Sequence, residues 1–265
     1  AKPYNTQGET YELVTPGVAL RFGIPFSEYD TVFFGLGAEM TRIKGSAALP
    51  NVYYLYREKF GSNSTSFPLT MGWARDERDS VITPTRGRLQ RLNMELSLVG
   101  DATYTRTNIQ YQQYFPLWNN KLTLGINADL GVGLGIGSRG YPIFKNYYGG
   151  GLGSVRVFEQ GSLGPVDVTG AYIGGSRKFN ANAELYLPVP GSGSNKDLRI
   201  FFFSDAGNVW ADHERVTLDS VRASSGVGLS WISPVGPLKI SWGVPVQYKP
   251  QDRIQRFQFQ IGTAF

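Results

Sequence analysis

Between Lys121 and Ile136 the chain alternates without exception. Leu122, Leu124, Ile126, Ala128, Leu130, Val132, Leu134 and Ile136 hold the even positions; Lys121, Thr123, Gly125, Asn127, Asp129, Gly131, Gly133 and Gly135 hold the odd ones. A strand sends successive side chains to opposite faces, so this run is a strand with one apolar and one polar face. Strands of soluble sandwiches usually run about five or six residues. A length of sixteen residues fits a strand tilted across a bilayer and extending past it.

The same period recurs along the chain. Val18, Leu20, Phe22 and Ile24 oppose Gly17, Ala19, Arg21 and Gly23, and Val32, Phe34, Leu36, Ala38 and Met40 oppose Gly35, Gly37, Glu39 and Thr41. Phe67, Leu69, Met71 and Trp73 continue it, followed by Leu92, Met94, Leu96 and Leu98. Thr103–Phe115 is weaker, with Ile109, Tyr111 and Phe115 on its outer face. Ala183–Leu187, Val221–Trp231, Leu238–Val244 and Phe257–Phe265 complete the set, with Arg199–Trp210 carrying Phe203, Asp205 and Gly207 on one face.

The polar faces carry Arg, Asp, Glu, Asn and Gly, which a dry sandwich core leaves unsatisfied and a hydrated lumen accommodates. The apolar rows therefore face lipid. Phe26, Tyr29, Trp73, Phe115, Trp118, Trp231 and Trp242 lie near strand ends, as interfacial aromatic girdles do. Connections alternate in length: Pro25–Asp30, Pro116–Asn120, Pro188–Asn195 and Ser233–Pro237 are short periplasmic turns. Gly45–Asn63 lies at the outer end, where NVYYLYREKF reads either as a short surface helix or as a strand extension.

The expected fold is all-β, a single transmembrane antiparallel β-barrel domain over residues 1–265 with eleven clear strands. Single-chain bacterial barrels have even strand numbers. Either Thr6–Val14 adds a poor twelfth strand or the chain is the C-terminal part of a longer barrel, and the second reading is preferred. Residues 138–177, centred on YYGGGLGSVRVFEQGSLGP, break the alternation and read as a long extracellular loop folded inward. Arg156 at its centre carries a permanent charge and five donors, so inside a barrel it needs a carboxylate. Glu184 and Asp205 face inward, and Gly131, Gly133 and Gly135 leave the wall low enough for the loop to approach.

Composition removes rival classes. With 33 glycines, no cysteine and one histidine, the chain has neither a disulfide scaffold nor a thiolate or imidazole metal site. The net charge of +5 comes from 26 basic residues scattered among 21 acidic ones, not the stripe that nucleic acid requires. A mean hydropathy of −0.22 and the absence of a long apolar run exclude a helical span but not a barrel. Gly149–Gly153 opens no helix of a βαβ unit, so it is no phosphate loop. Asp212-His213, in an outer loop, is the one acid–base pair available to an enzyme. The inward acids Glu39, Glu95, Asp129, Glu184 and Asp205 are what any polar lumen contains.

GIPFSEYD, DERDSVITPTRG, GGGLGSVRVFEQGSLGP, FFFSDAGNVW, LSWISPVGPLKISWGVPV and FQFQIGTAF follow one another along residues 10–265. In these motifs the chain resembles the barrel of the BamA family, outer-membrane protein assembly factors of Gram-negative bacteria in the bacterial surface antigen superfamily. The resemblance implies a sixteen-stranded barrel in the outer membrane, of which this chain holds the C-terminal part without the periplasmic POTRA domains. It implies folding and insertion of other outer-membrane barrels, with no chemistry and no cofactor. It further implies that this proceeds by strand-edge pairing at a lateral seam and membrane perturbation, and the partners implied are outer-membrane lipid, unfolded barrel clients and, through POTRA domains, barrel-assembly lipoproteins. The alternative within the superfamily is a passive pore or a two-partner-secretion translocation barrel. Self-association of a shortened wall is a further expectation.

For site residues, the resemblance docks Arg156 on Phe203 and Asp205; the inward Glu184 and the loop's Phe158 complete the expected docking set, with Gly153, Val155, Val157 and Gly164 as the loop motif. Phe257, Phe259, Ile261, Gly262 and Phe265 match the terminal recognition signal. One position departs from the family's Val-Arg-Gly-aromatic pattern, because Val157 stands where the glycine is. A valine there either takes a strained positive φ or forces another backbone path.

Overall fold

The computed structural model describes residues 12–45, 50–189, 197–234 and 236–262. Within them one antiparallel sheet runs through β1 (Glu12–Val14), β2 (Gly17–Pro25), β3 (Asp30–Lys44), β4 (Asn63–Asp76), β5 (Gly87–Gly100) and β6 (Tyr104–Leu117). It continues through β7 (Leu122–Gly135), β8 (Arg177–Pro188), β9 (Leu198–Trp210), β10 (Arg222–Ser233), β11 (Gly236–Gln247) and β12 (Phe257–Ile261). From β3 onward each strand pairs with its neighbours in sequence, as an up-and-down wall requires.

β1 and β2 both pair with β3, β1 against Arg42–Lys44 and β2 against Thr31–Glu39. Pro16 separates them, and its carbonyl still accepts the Met40 N–H at 3.0 Å. The two are one interrupted strand, so the wall is eleven strands wide. Glu12–Val14 therefore prolongs the first strand, which decides against the less favoured alternative of a separate twelfth; positions 6–11 lie outside the described residues. Among the described residues neither β2 nor β12 has a partner on its far side.

The facing follows the alternation. Ile126, Leu130, Val132 and Leu134 are exposed on the outside of β7, whereas Thr123, Gly125, Gly131 and Gly133 are buried. Val18, Leu20, Phe22 and Ile24 form an exposed apolar row on β2. β6 is complete despite its weak pattern, held in register by Ile109 between Leu92 and Leu130. Among the described residues no helix is long and apolar enough to cross a membrane.

Five connections gather at one end of the wall, among them the short turns after β2, β6 and β10 and the longer 77–86. The β8–β9 link expected over Pro188–Asn195 falls largely outside the described residues, as does Val235. At the other end NVYYLYREKF forms helix α1 (Asn51–Phe60), which decides between its two readings. Gly61 stops it at φ 87, and the buried Tyr53 and Tyr56 pack with Ile43, joined by Phe144 from the β7–β8 segment.

The wall curls. The β3–β4 and β11–β12 connections lie eight strand spacings apart along the sheet, roughly 38 Å if it were flat. Yet both reach the turn 166–172: the Asn51 N–H donates to Asp167, and the Tyr172 hydroxyl donates to the Gln251 carbonyl at 3.0 Å. Only a sheet rolled most of the way into a barrel brings them together.

Candidate functional site

The segment 136–176 between β7 and β8 folds back along the concave face. It has room because β7 carries glycine at its inward positions. A Cβ on Gly131 would lie 2.7 Å from the Tyr147 ring, and one on Gly133 would lie 2.2 Å from Tyr141. The Tyr147 hydroxyl donates to the Thr107 carbonyl at 2.7 Å, and Arg106 stacks on its ring at 4.2 Å. Further along, Gly150 and Gly151 turn the chain with φ of 95° and 87°. The Ser154 hydroxyl then reaches Asn180 at 2.8 Å, and Asn182 donates to the Ser154 carbonyl at 2.7 Å.

This approach delivers Arg156 to two acids. β9 presents Phe203 and Asp205 inward two residues apart, and β8 presents Glu184 directly opposite Phe203. Arg156 Nε and Nη2 each donate to Asp205 at 2.7 Å, a two-pronged pairing, and its backbone N–H donates to the same carboxylate at 3.0 Å. Nη1 donates to Glu184, and the guanidinium lies 4.0 Å above the Phe203 ring. The Arg156 side chain is 4% exposed and Asp205 0%, so neither charge has water as an alternative partner. Glu184 is shared: Lys239 of β11 reaches it at 2.8 Å, and the Tyr186 hydroxyl donates to it.

Val157 takes a left-handed backbone, φ 77°, with its side chain 1% exposed among Tyr186, Phe201 and Phe203. Of the two outcomes a valine allowed at this position, strain is the one realised. Phe158 is fully buried but packs with Val155 and Leu163, inside the loop, not on the acids that hold Arg156. Gly164 needs its hydrogen: φ is 109°, and Val209 lies 3.0 Å from where a Cβ would sit. Gly153 shows no such need, because nothing stands within 4 Å of its missing Cβ. Phe257, Phe259 and Ile261 point outward and are exposed, Gly262 has φ 87°, and Phe265 lies outside the described residues.

The remaining inward acids do not cluster as a catalytic set. Asp129 pairs with Lys178 at 2.5 Å, and Lys145 bridges Glu39 at 2.5 Å and Glu95 at 2.8 Å. Asp212 and His213 are both exposed in the β9–β10 connection. Among the described residues no group of three or more acids, histidines or cysteines is placed to hold a metal ion. The sequence pattern gave no sign that Lys239 shares Glu184 with Arg156 or that Gln258 holds the loop backbone. Both are inward by period, but only the curl of the wall tells which segment they meet.

A curled antiparallel wall, apolar outside and charged inside with an arginine-bearing loop against its inner face, is that of a transmembrane β-barrel protein. The model for the Omp85 superfamily domain matches residues 4–265, and the chain belongs to that superfamily. It is 36% identical to outer membrane protein assembly factor BamA of Neisseria meningitidis serogroup B, over 98% of this chain and 37% of that protein. It is 31% identical to sorting and assembly machinery component 50 homolog B of Xenopus laevis, over 72% of this chain and 44% of that one. The structure of BamA from Haemophilus ducreyi lacking POTRA domains 1–3 matches with a TM-score of 0.86 at 26% identity, covering 97% of this chain and 56% of that one. The chain thus spans less than two thirds of the length of each of these relatives.

Proposed function

We propose that this chain is the working wall of an outer-membrane barrel assembly factor, which promotes folding and insertion of other barrels by offering a strand edge to them. The observation that carries the reading is the strand β12, which bears the outward apolar row Phe257, Phe259 and Ile261 and is held to β11 along Phe257–Ile261, in a chain 36% identical to an outer membrane protein assembly factor BamA over 98% of its length. An unpaired edge presents a ladder of N–H and C=O groups, and an incoming client strand satisfies it by augmentation. Lipid bathes the outer rows, the short turns face the periplasm, and segment 136–176 enters from the cell exterior.

The Arg156 loop serves as a latch in this reading. Arg156 on Asp205, Glu184 and Phe203, with Phe158 fastening the loop internally, holds the segment inside the lumen and so fixes the shape of the wall beside the β12 edge. The function is mechanical; it uses no cofactor and no catalytic residue. Partners in this reading are lipid, unfolded barrel clients and, through POTRA domains of a longer protein, assembly lipoproteins. A second copy of the chain is a further partner in this reading. The alternative, a passive pore or two-partner-secretion channel, shares the inward loop and is separated from assembly by function.

The test is the folding of an unfolded client barrel into liposomes with and without the protein, followed by protection of the folded client from protease. Faster folding supports assembly. Ion conductance by the same proteoliposomes with unchanged client folding overturns it in favour of the pore.

A further inference from the structure

β12 is sparsely held. It pairs with β11 only from Phe257 to Ile261, whereas β10 pairs with β11 along Ala223 to Ser233. Of its two inward amides, Gln260 reaches among the described residues the Gly262 carbonyl, at 3.4 Å. Gln258 is different: it is 5% exposed and turned onto the loop. Its Nε2 donates to the Phe158 carbonyl at 2.7 Å, and its Oε1 accepts the Val157 N–H at 3.3 Å. Beside it the loop is added to the chain entering β12 as a short antiparallel pair, Phe158 opposite Ile254. The Glu159 N–H donates to the Arg253 carbonyl at 2.9 Å and the Gln255 N–H to the Val157 carbonyl at 2.6 Å.

We propose that Gln258 is a positioning residue that makes release of the terminal strand and undocking of the Arg156 loop a single event. Arg156 commits its side chain to β8 and β9, and the very next peptide N–H is the one Gln258 accepts. No slack separates the two attachments. When Arg156 leaves Asp205, the groups that grip β12 leave with it; when a strand draws β12 away from β11, the pull passes through Gln258 to the latch. The site calls for an amide, because it presents one N–H and one carbonyl. Glutamate brings no donor, leucine brings neither, and asparagine is one carbon short. This inference deepens the edge-pairing reading by naming what controls the edge, and its test is independent of clients.

Amide hydrogen exchange on the protein in phosphatidylcholine–phosphatidylglycerol nanodiscs reads the edge directly. Gln258→Leu removes two neutral hydrogen bonds and raises exchange in Phe257–Ile261 by about tenfold, with β6 and β7 unchanged. Arg156→Ala, or the milder Asp205→Asn if that variant folds poorly, raises exchange in the same five residues although neither substitution touches them. In the double variant the effects multiply less than fully, because Gln258→Leu has already removed the side-chain bonds through which the latch holds Phe257–Ile261 and leaves the backbone pair at 253–255 as the remaining link. A β12 indifferent to Arg156 and Asp205, or effects that multiply in full, overturns the inference. Coupling without faster client folding would keep the linkage and remove the assembly reading; faster folding without coupling would do the reverse.

Discussion

Val157 offers a test in which the sign of a difference decides. Its backbone sits at φ 77°, where a Cβ crowds the following carbonyl, at a cost of about 1–2 kcal/mol for an L-residue. Its side chain is also buried against Tyr186, Phe201 and Phe203. Trimming it to alanine removes two buried carbons, about 1.6 kcal/mol, and keeps the offending Cβ. Going on to glycine removes a third, about 0.8 kcal/mol, and adds roughly 0.5–1 kcal/mol of chain entropy, but relieves the left-handed strain. The two steps nearly cancel, so Val157→Gly and Val157→Ala should open the loop within about 0.5 kcal/mol of each other. At an ordinary negative φ, glycine would instead be worse than alanine by roughly 1.5 kcal/mol. The assay is hydrogen exchange at the loop amides 154–159, where a tenfold change in protection corresponds to about 1.4 kcal/mol. A glycine variant more than tenfold less protected than the alanine variant would refute both the left-handed backbone and the strain.

Other outcomes follow from the facing and the latch. Leu130→Arg, on the outer face of β7, should cost about 2–4 kcal/mol in urea unfolding from lipid vesicles if it lies near the bilayer midplane, and Asn127→Arg on the lumen face should be mild; equal costs would contradict the facing. Arg156→Ala leaves the buried Asp205 unpaired and should destabilise loop docking by about 3–5 kcal/mol, with a cycle against Asp205→Ala returning strong coupling. Additive effects would dissolve the pair. Asp101, in the β5–β6 turn, has its carboxyl held below the usual carboxylate range by the Thr65 hydroxyl and the Thr65 N–H. A lowered folded value means its contribution is present above the ordinary carboxylate pKa of about 3.9 and is lost as pH falls through the folded one. The melting temperature should therefore drop more between pH 5 and pH 3 in the wild type than in Asp101→Asn; parallel profiles would exclude the linkage.

Strand facing was legible because a lipid-facing row is nearly free of exceptions, as Leu122–Ile136 illustrates. The landing place of the loop was legible too, in the alternate glycines of β7 where Tyr141 and Tyr147 press. Legibility failed where an outcome depends on distant parts of the wall. NVYYLYREKF carried aromatic residues suited to either state, and it is helical because Ile43 and Phe144 give its tyrosines a surface. A twelfth strand over Thr6–Val14 stayed open as the less favoured alternative because a proline interruption looks like an end in sequence, while register on β3 makes Glu12–Val14 a continuation. Lys239 and Gln258 looked like any inward polar residue. Their partners, Glu184 on β8 and the backbone of Val157 and Phe158, are set by how tightly the wall rolls, which no local period encodes.

The claim beneath all of this is that one row of each strand meets lipid and the other meets a charged interior that receives the loop. The chain has no cysteine, so a single introduced thiol is a clean probe at any position. Spin labels placed one at a time from 122 to 135 in β7, in bilayers, measure access to dissolved oxygen against access to an aqueous nickel chelate. Oxygen access should peak at 124, 126, 130, 132 and 134 and fall at 125, 127, 129, 131 and 133. A flat profile, or maxima at the odd positions, would contradict the facing on which the barrel and its latch depend.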